Sequence, residues 1–104
     1  MVTAIVLISA KRDRINETAE KLVELDGVSE VYSVAGPYDL AAIIRVRENQ
    51  QLADLVTGEM VKLEGIEDTM TLIAFKAYSR HDLERLFSIG LEEEAKHPGT
   101  RESM

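Results

Sequence analysis

The sequence predicts an α+β domain of order βαββαβ, a four-stranded antiparallel sheet with both helices on one face, followed by a C-terminal helix. Three observations predict it. One pattern occurs twice at a fixed spacing, short apolar runs alternate with helical stripes, and turn residues fall at the junctions.

The repeated pattern is KLVELDGVSEVYSV, Lys21 to Val34, against EMVKLEGIEDTMTL, Glu59 to Leu72. Val23/Val61, Leu25/Leu63 and Gly27/Gly65 are identical, an offset of 38 positions. The same offset lays Thr3–Ile8 over Ala41–Val46, with Ala4/Ala42 and Ile5/Ile43 identical. The chain is therefore two copies of one strand–helix–strand unit.

Strand one is expected over Val2 to Ser9. Helix one follows Asp13, an N-cap residue type, carries Ile15, Ala19, Leu22 and Val23 on its apolar stripe, and stops at Asp26-Gly27, where glycine takes the left-handed position. Strand two is expected over Ser29 to Ala35, and Gly36-Pro37-Tyr38-Asp39 makes a four-residue hairpin into strand three, Leu40 to Arg47. Asn49 caps helix two, whose stripe is Leu52, Leu55, Val56, Met60 and Leu63 up to Glu64-Gly65; Gly58 inside it costs roughly 1 kcal/mol relative to alanine. Strand four covers Thr69 to Lys76. Beyond it, Ser79-Arg80-His81-Asp82 has capping-box spacing, and Leu83, Leu86, Phe87 and Leu91 give a third amphipathic helix over 80–96. The domain is thus expected at 1–78, the helix at 79–96 and a frayed tail at 97–104.

Two such units joined by a hairpin form the ferredoxin-like arrangement, in which strands one and three are central. Both are apolar on both faces: Val2, Ala4, Val6 and Ile8 against Ile5 and Leu7, and Leu40, Ala42, Ile44 and Val46 against Ala41 and Ile43. Right-handed crossovers put both helices on one face. A wet opposite face of aliphatic side chains would forfeit about 1.5–3 kcal/mol per large residue, so a second copy of the sheet is expected to cover it in a dimeric α/β sandwich.

Composition excludes several functions. With 19 acidic against 12 basic residues the net charge is −7, which removes the phosphate attraction behind nucleic-acid affinity, so no direct nucleic-acid binding is expected. Cysteine is absent, excluding disulfides and thiolate chemistry and fitting a reducing cytoplasm. Val2 to Ile8 has neither a basic stretch before it nor a cleavage site after it, so neither signal peptide nor membrane partner is expected. His81 and His97 stand apart without metal-ligand spacing, and the glycines form no phosphate-binding fingerprint, so no metal and no cofactor is expected.

Gly36-Pro37-Tyr38-Asp39 remains. As a hairpin alone it is explained by glycine and proline dihedrals and an aspartate that caps the turn. As a binding loop, Asp39 would accept an ammonium, backbone amides near Gly36 would donate to a carboxylate, and Tyr38 would wall an apolar side chain, a set suited to a zwitterion. Both readings stay open on the residues.

The stretch L-x-x-L-D-G-V-x-E-V-x-x-V-x-G-x-Y-D-L, Leu22 to Leu40, with L-x-G-I-x-x-T-x-T, Leu63 to Thr71, resembles the regulatory (RAM) domain of the Lrp/AsnC family over Val2 to Lys76. The resemblance implies sheet-to-sheet dimers, assembly to higher oligomers and an amino-acid effector bound where dimers meet. It transfers the effector contacts to Gly36, Pro37, Tyr38 and Asp39, with Thr69 and Thr71 from strand four. Family members carry a helix-turn-helix ahead of this domain, whereas strand one begins here at Val2. The expectation is a stand-alone, non-enzymatic, effector-binding regulatory domain that modulates transcription, with a full-length Lrp/AsnC regulator as possible partner. The alternatives are a small dimeric ferredoxin-like monooxygenase or isomerase, whose cavity would here be aliphatic with no Trp and no His before position 81, and a structural adaptor.

Overall fold

The computed structural model describes residues 1–80. The elements are β1 (Val2–Ala10), α1 (Ile15–Val23), β2 (Val28–Ser33), β3 (Leu40–Val46), α2 (Asn49–Asp54) and β4 (Ile66–Ile73). The sheet has the order β2-β3-β1-β4, with each neighbouring pair antiparallel. The two strands apolar on both faces are the central ones, as the sequence requires. The expected third helix and tail lie outside the described residues, apart from helical Arg80.

Alternation along β1 and β3 separates the two faces. Ala4, Val6, Ile8, Leu40, Ala42 and Ile44 are fully buried beneath the helices, where they meet Leu22 of α1, Leu52 of α2 and Met60. Ile5, Leu7, Ala41 and Ile43 point the other way and are only half-buried.

Several boundaries differ from expectation, each for a local reason. Asp13 does not cap α1: Arg12–Arg14 form a 3-10 turn, and Arg14 precedes the helix, its guanidinium 3.2 Å from Glu64. Glu48 rather than Asn49 is the N-cap of α2, because the Gln51 side-chain carbonyl accepts the N–H groups of both Arg47 (2.8 Å) and Glu48 (3.1 Å). Helix two is not continuous. It widens into a π-type turn over Leu55–Glu59, which contains Gly58, and tightens into a 3-10 turn over Met60–Lys62; Leu55 and Met60 nevertheless reach the core. Val23, expected on the buried stripe, is 50% exposed, and buried Thr18 faces the interior instead.

The repeated glycines do different work. Gly27 has φ +96°, the left-handed conformation that a side chain would strain. Gly65 has no such φ; it is needed because a Cβ there would run into the Thr18 hydroxyl, where α1 comes closest to the chain entering β4. Its carbonyl accepts the Lys11 N–H at 2.8 Å, as Gly27 accepts that of Arg45 at 2.8 Å.

Candidate functional site

The hairpin is longer than four residues. β2 ends at Ser33, and the connection Val34–Asp39 peels away from β2 toward β1. Two backbone bonds set this course: Val34 N–H donates to the Asp39 carbonyl at 3.0 Å, and Asp39 N–H donates to the Ile8 carbonyl at 2.9 Å. Gly36, with φ +135°, permits the change of direction, and Pro37 follows it exposed to solvent.

Asp39 also uses its side chain. Carboxylate Oδ2 accepts the Ala10 N–H at 2.9 Å, at the end of β1 where the pairing with β4 shifts register. Tyr38 crosses over the end of β1, and its hydroxyl donates to Sδ of Met70 at 3.8 Å. Half-buried Tyr38 and Asp39 therefore stand at one rim of the sheet, touching three strands through β1, β3 and β4.

Strand alternation decides which of the remaining candidates join them. Thr69 pairs with Ile8, the residue whose carbonyl Asp39 binds, so Thr69 lies in the hairpin's row on the helix-covered side. Thr71 pairs with Val6 two residues farther on and turns toward α2. The six candidates thus divide: Gly36, Pro37, Tyr38 and Asp39 form one corner, Thr69 borders it, and Thr71 does not reach it.

Met70 belongs instead to the uncovered face, the side of the sheet that no element among the described residues covers. It pairs with Leu7, and Leu72 pairs with Ile5. Both are 46% exposed and extend the surface of Ile5, Leu7, Ala41 and Ile43. This apolar surface is rimmed at β2 by polar groups that alternation puts on the same face: the Tyr32 hydroxyl donates to Glu30 Oε2 at 2.7 Å, and Arg45 stands 4.0 Å from Glu30 Oε1. The hydrogen bond from Tyr32 to Glu30, with the charge of that carboxylate, raises the Tyr32 phenol above its ordinary 10.0. Met70, which the sequence reading did not single out, links the hairpin to this face; its signal was its place between Thr69 and Thr71.

Further hollows lie elsewhere, among them two of contrasting lining. One of about 380 Å³, at the far end of β3, is lined by exposed charges including Asp26, Arg45, Arg47 and Glu59. The other, of about 260 Å³, is apolar and separates α2 from β4. Among the described residues no three His, Cys, Asp or Glu side chains converge as metal ligands, and no helix is long and apolar enough to cross a membrane.

A family model described as the Lrp/AsnC ligand binding domain matches residues 3–83. The chain is 35% identical over 78 residues to the HTH-type transcriptional regulator FL11 of Pyrococcus furiosus, covering 74% of this chain and 50% of that protein. It spans about half the length of the curated relatives it matches. Among crystal structures, the Thermus thermophilus protein TTHA0845 is 49% identical with a TM-score of 0.72, covering 77% of this chain and 100% of that one. A Neisseria meningitidis transcriptional regulator, solved as an L-Met complex, shares the fold at a TM-score of 0.69 and 14% identity, over 76% of this chain and 53% of that one.

Proposed function

The chain belongs to the Lrp/AsnC family through its ligand-binding domain, and from that premise we propose that it is a self-assembling regulatory module that binds an amino acid and acts on transcription, alone or together with a full-length family member. One observation carries the reading: Tyr38 of the hairpin touches Met70 of the uncovered apolar face, so the candidate effector loop and the candidate assembly surface are continuous. Pairing two such faces removes Ile5, Leu7, Ile43, Met70 and Leu72 from water; since each is already half-buried or more, the gain is at most half of the roughly 1.5–3 kcal/mol of a full burial. An effector held by Gly36, Pro37, Tyr38, Asp39 and Thr69 at the rim then favours whichever assembly completes its pocket, and assembly strengthens effector binding by the same factor. Thr71 contributes only if a neighbouring copy brings its own to the rim. The L-Met complex of the Neisseria meningitidis regulator supports an amino acid as the class of ligand on this fold, and the regulators among the relatives support this reading over an enzyme.

A structural adaptor is favoured by one observation, the use of Asp39 Oδ2 to accept the Ala10 N–H, which gives the aspartate a purely architectural task. Light scattering during titration with each of the common amino acids separates the two. The sensor reading expects at least one amino acid to change the assembly mass, and expects Asp39→Asn to abolish that response while circular dichroism stays unchanged. If no amino acid binds or alters the mass, the sensor reading fails.

A further inference from the structure

The groove between α2 and β4 lies on the opposite side of the sheet from the uncovered face, so pairing of sheets leaves it open. Leu52, Ala53 and Val56 form one wall and Thr71 and Ile73 the other. Ile73 is 54% exposed although it faces the helix layer, and Phe75, two residues on, is fully exposed at 101%. The backbone is still tied to the sheet between them, since Ala74 N–H donates to the Thr3 carbonyl at 2.9 Å. An apolar strip thus runs along α2 and out past the end of β4, at the point where the chain leaves the domain.

We propose that this groove is the docking site of the chain's own C-terminal stretch, residues 80–91, bound as an amphipathic helix on the protomer that carries it. The occupant is chosen by sequence, reach and length. Leu83, Leu86, Phe87 and Leu91 fall on one helical face with Arg85 and Glu92 off it, an apolar stripe that needs a partner surface. From Leu83 to Leu91 such a helix spans about 12 Å, matching the stretch from Asn49 to Thr57, α2 and the π-type turn after it, that borders the groove. The ten residues from Ile73 to Leu83 reach as far as roughly 33 Å when extended, so no second chain is needed to supply the helix. A tethered segment meets its groove at an effective concentration in about the millimolar range, well above that of a free partner. Phe75, at the mouth of the groove, is covered by the first turn of the docked helix.

The absence of native cysteine makes the test direct, because an engineered pair can oxidise only with itself. In the full chain, Ala53→Cys, at an exposed groove position, is combined with Leu86→Cys or Phe87→Cys, and with Arg85→Cys as the polar-face control. The expected result is a disulfide within one chain, formed at least about tenfold faster for the apolar-face pairs than for the control. Disulfides between chains would assign the groove to a second copy and overturn the proposal, as would equal rates for both faces. Phe87→Asp provides a second measurement without altering the groove: amide hydrogen exchange over Leu52–Val56 should accelerate several-fold, and unchanged exchange would overturn the proposal. Neither measurement involves an effector, so their failure leaves the effector reading standing, and the converse holds.

Discussion

The Asp39 carboxylate accepts the Ala10 N–H at 2.9 Å, joining the hairpin to the end of a strand 29 positions away in sequence. Together with the bond from Asp39 N–H to Ile8, it fixes the hairpin against β1 in addition to the bond across its own base from Val34 N–H to the Asp39 carbonyl. The loop is therefore held from the centre of the sheet.

Asp39→Ala leaves the Ala10 N–H, on a buried residue, without its acceptor. The expected loss is about 1–2 kcal/mol of stability, read from urea unfolding. Asp39→Asn keeps an oxygen at the same position and is expected to cost less than half as much. Equal losses in the two variants would mean that charge, not the hydrogen bond, holds the loop.

Gly65→Ala places a methyl group against the Thr18 hydroxyl. Overpacking of this kind costs about 1–3 kcal/mol. Thr18→Ala removes the nearest clashing atom, so the double variant should be more stable than the sum of the single losses allows, a coupling measurable by a double-mutant cycle. Simple additivity would show that the close approach is not where the cost arises.

The proposed sheet pairing predicts a strong effect of charge on the uncovered face. Ile43→Asp should turn the assembled protein into single protomers, read by sedimentation at micromolar concentration, with little loss of helical signal because the side chain lies outside the core. A wild-type chain that sediments as a lone protomer at that concentration would end the pairing proposal.

Tyr32 offers a pH test. Its phenol is raised above 10.0 by the hydrogen bond to Glu30, so the folded state favours the protonated ring. The stability this bond contributes is fully present below pH 10 and lost as pH rises through the raised value. Glu30→Gln should bring the phenol back toward its ordinary value in a spectrophotometric titration, and Tyr32→Phe should narrow its stability difference from wild type above pH 10. A titration unmoved by Glu30→Gln would exclude Glu30 as the cause.

The strand order and the two faces were legible because β1 and β3 alternate without interruption and both alternating sets are apolar, which leaves them only the centre of the sheet. Helix two was legible as a buried stripe but not as a regular helix, since Gly58 weakens the ladder and the wider turn lets both Leu55 and Met60 face inward. The buried stripe of helix one misled at Val23, which is 50% exposed; its identical counterpart Val61 is 66% exposed, and nothing among the described residues explains their identity. The hairpin residues were legible as a cluster, whereas the partners of Asp39 and Tyr38 were not. Ala10 and Met70 come to them only through pairing across β1, a relation between distant positions that no local pattern contains.

Successive residues of β4 serve different neighbours. Met70 and Leu72 look out from the bare side of the sheet, while Thr71 and Ile73 look toward α2. A one-residue insertion ahead of Met70 would swap these allegiances at a stroke. Frame-preserving length changes in this strand should therefore be rarer among viable variants than changes of side chain, because a slipped register loses both surfaces together.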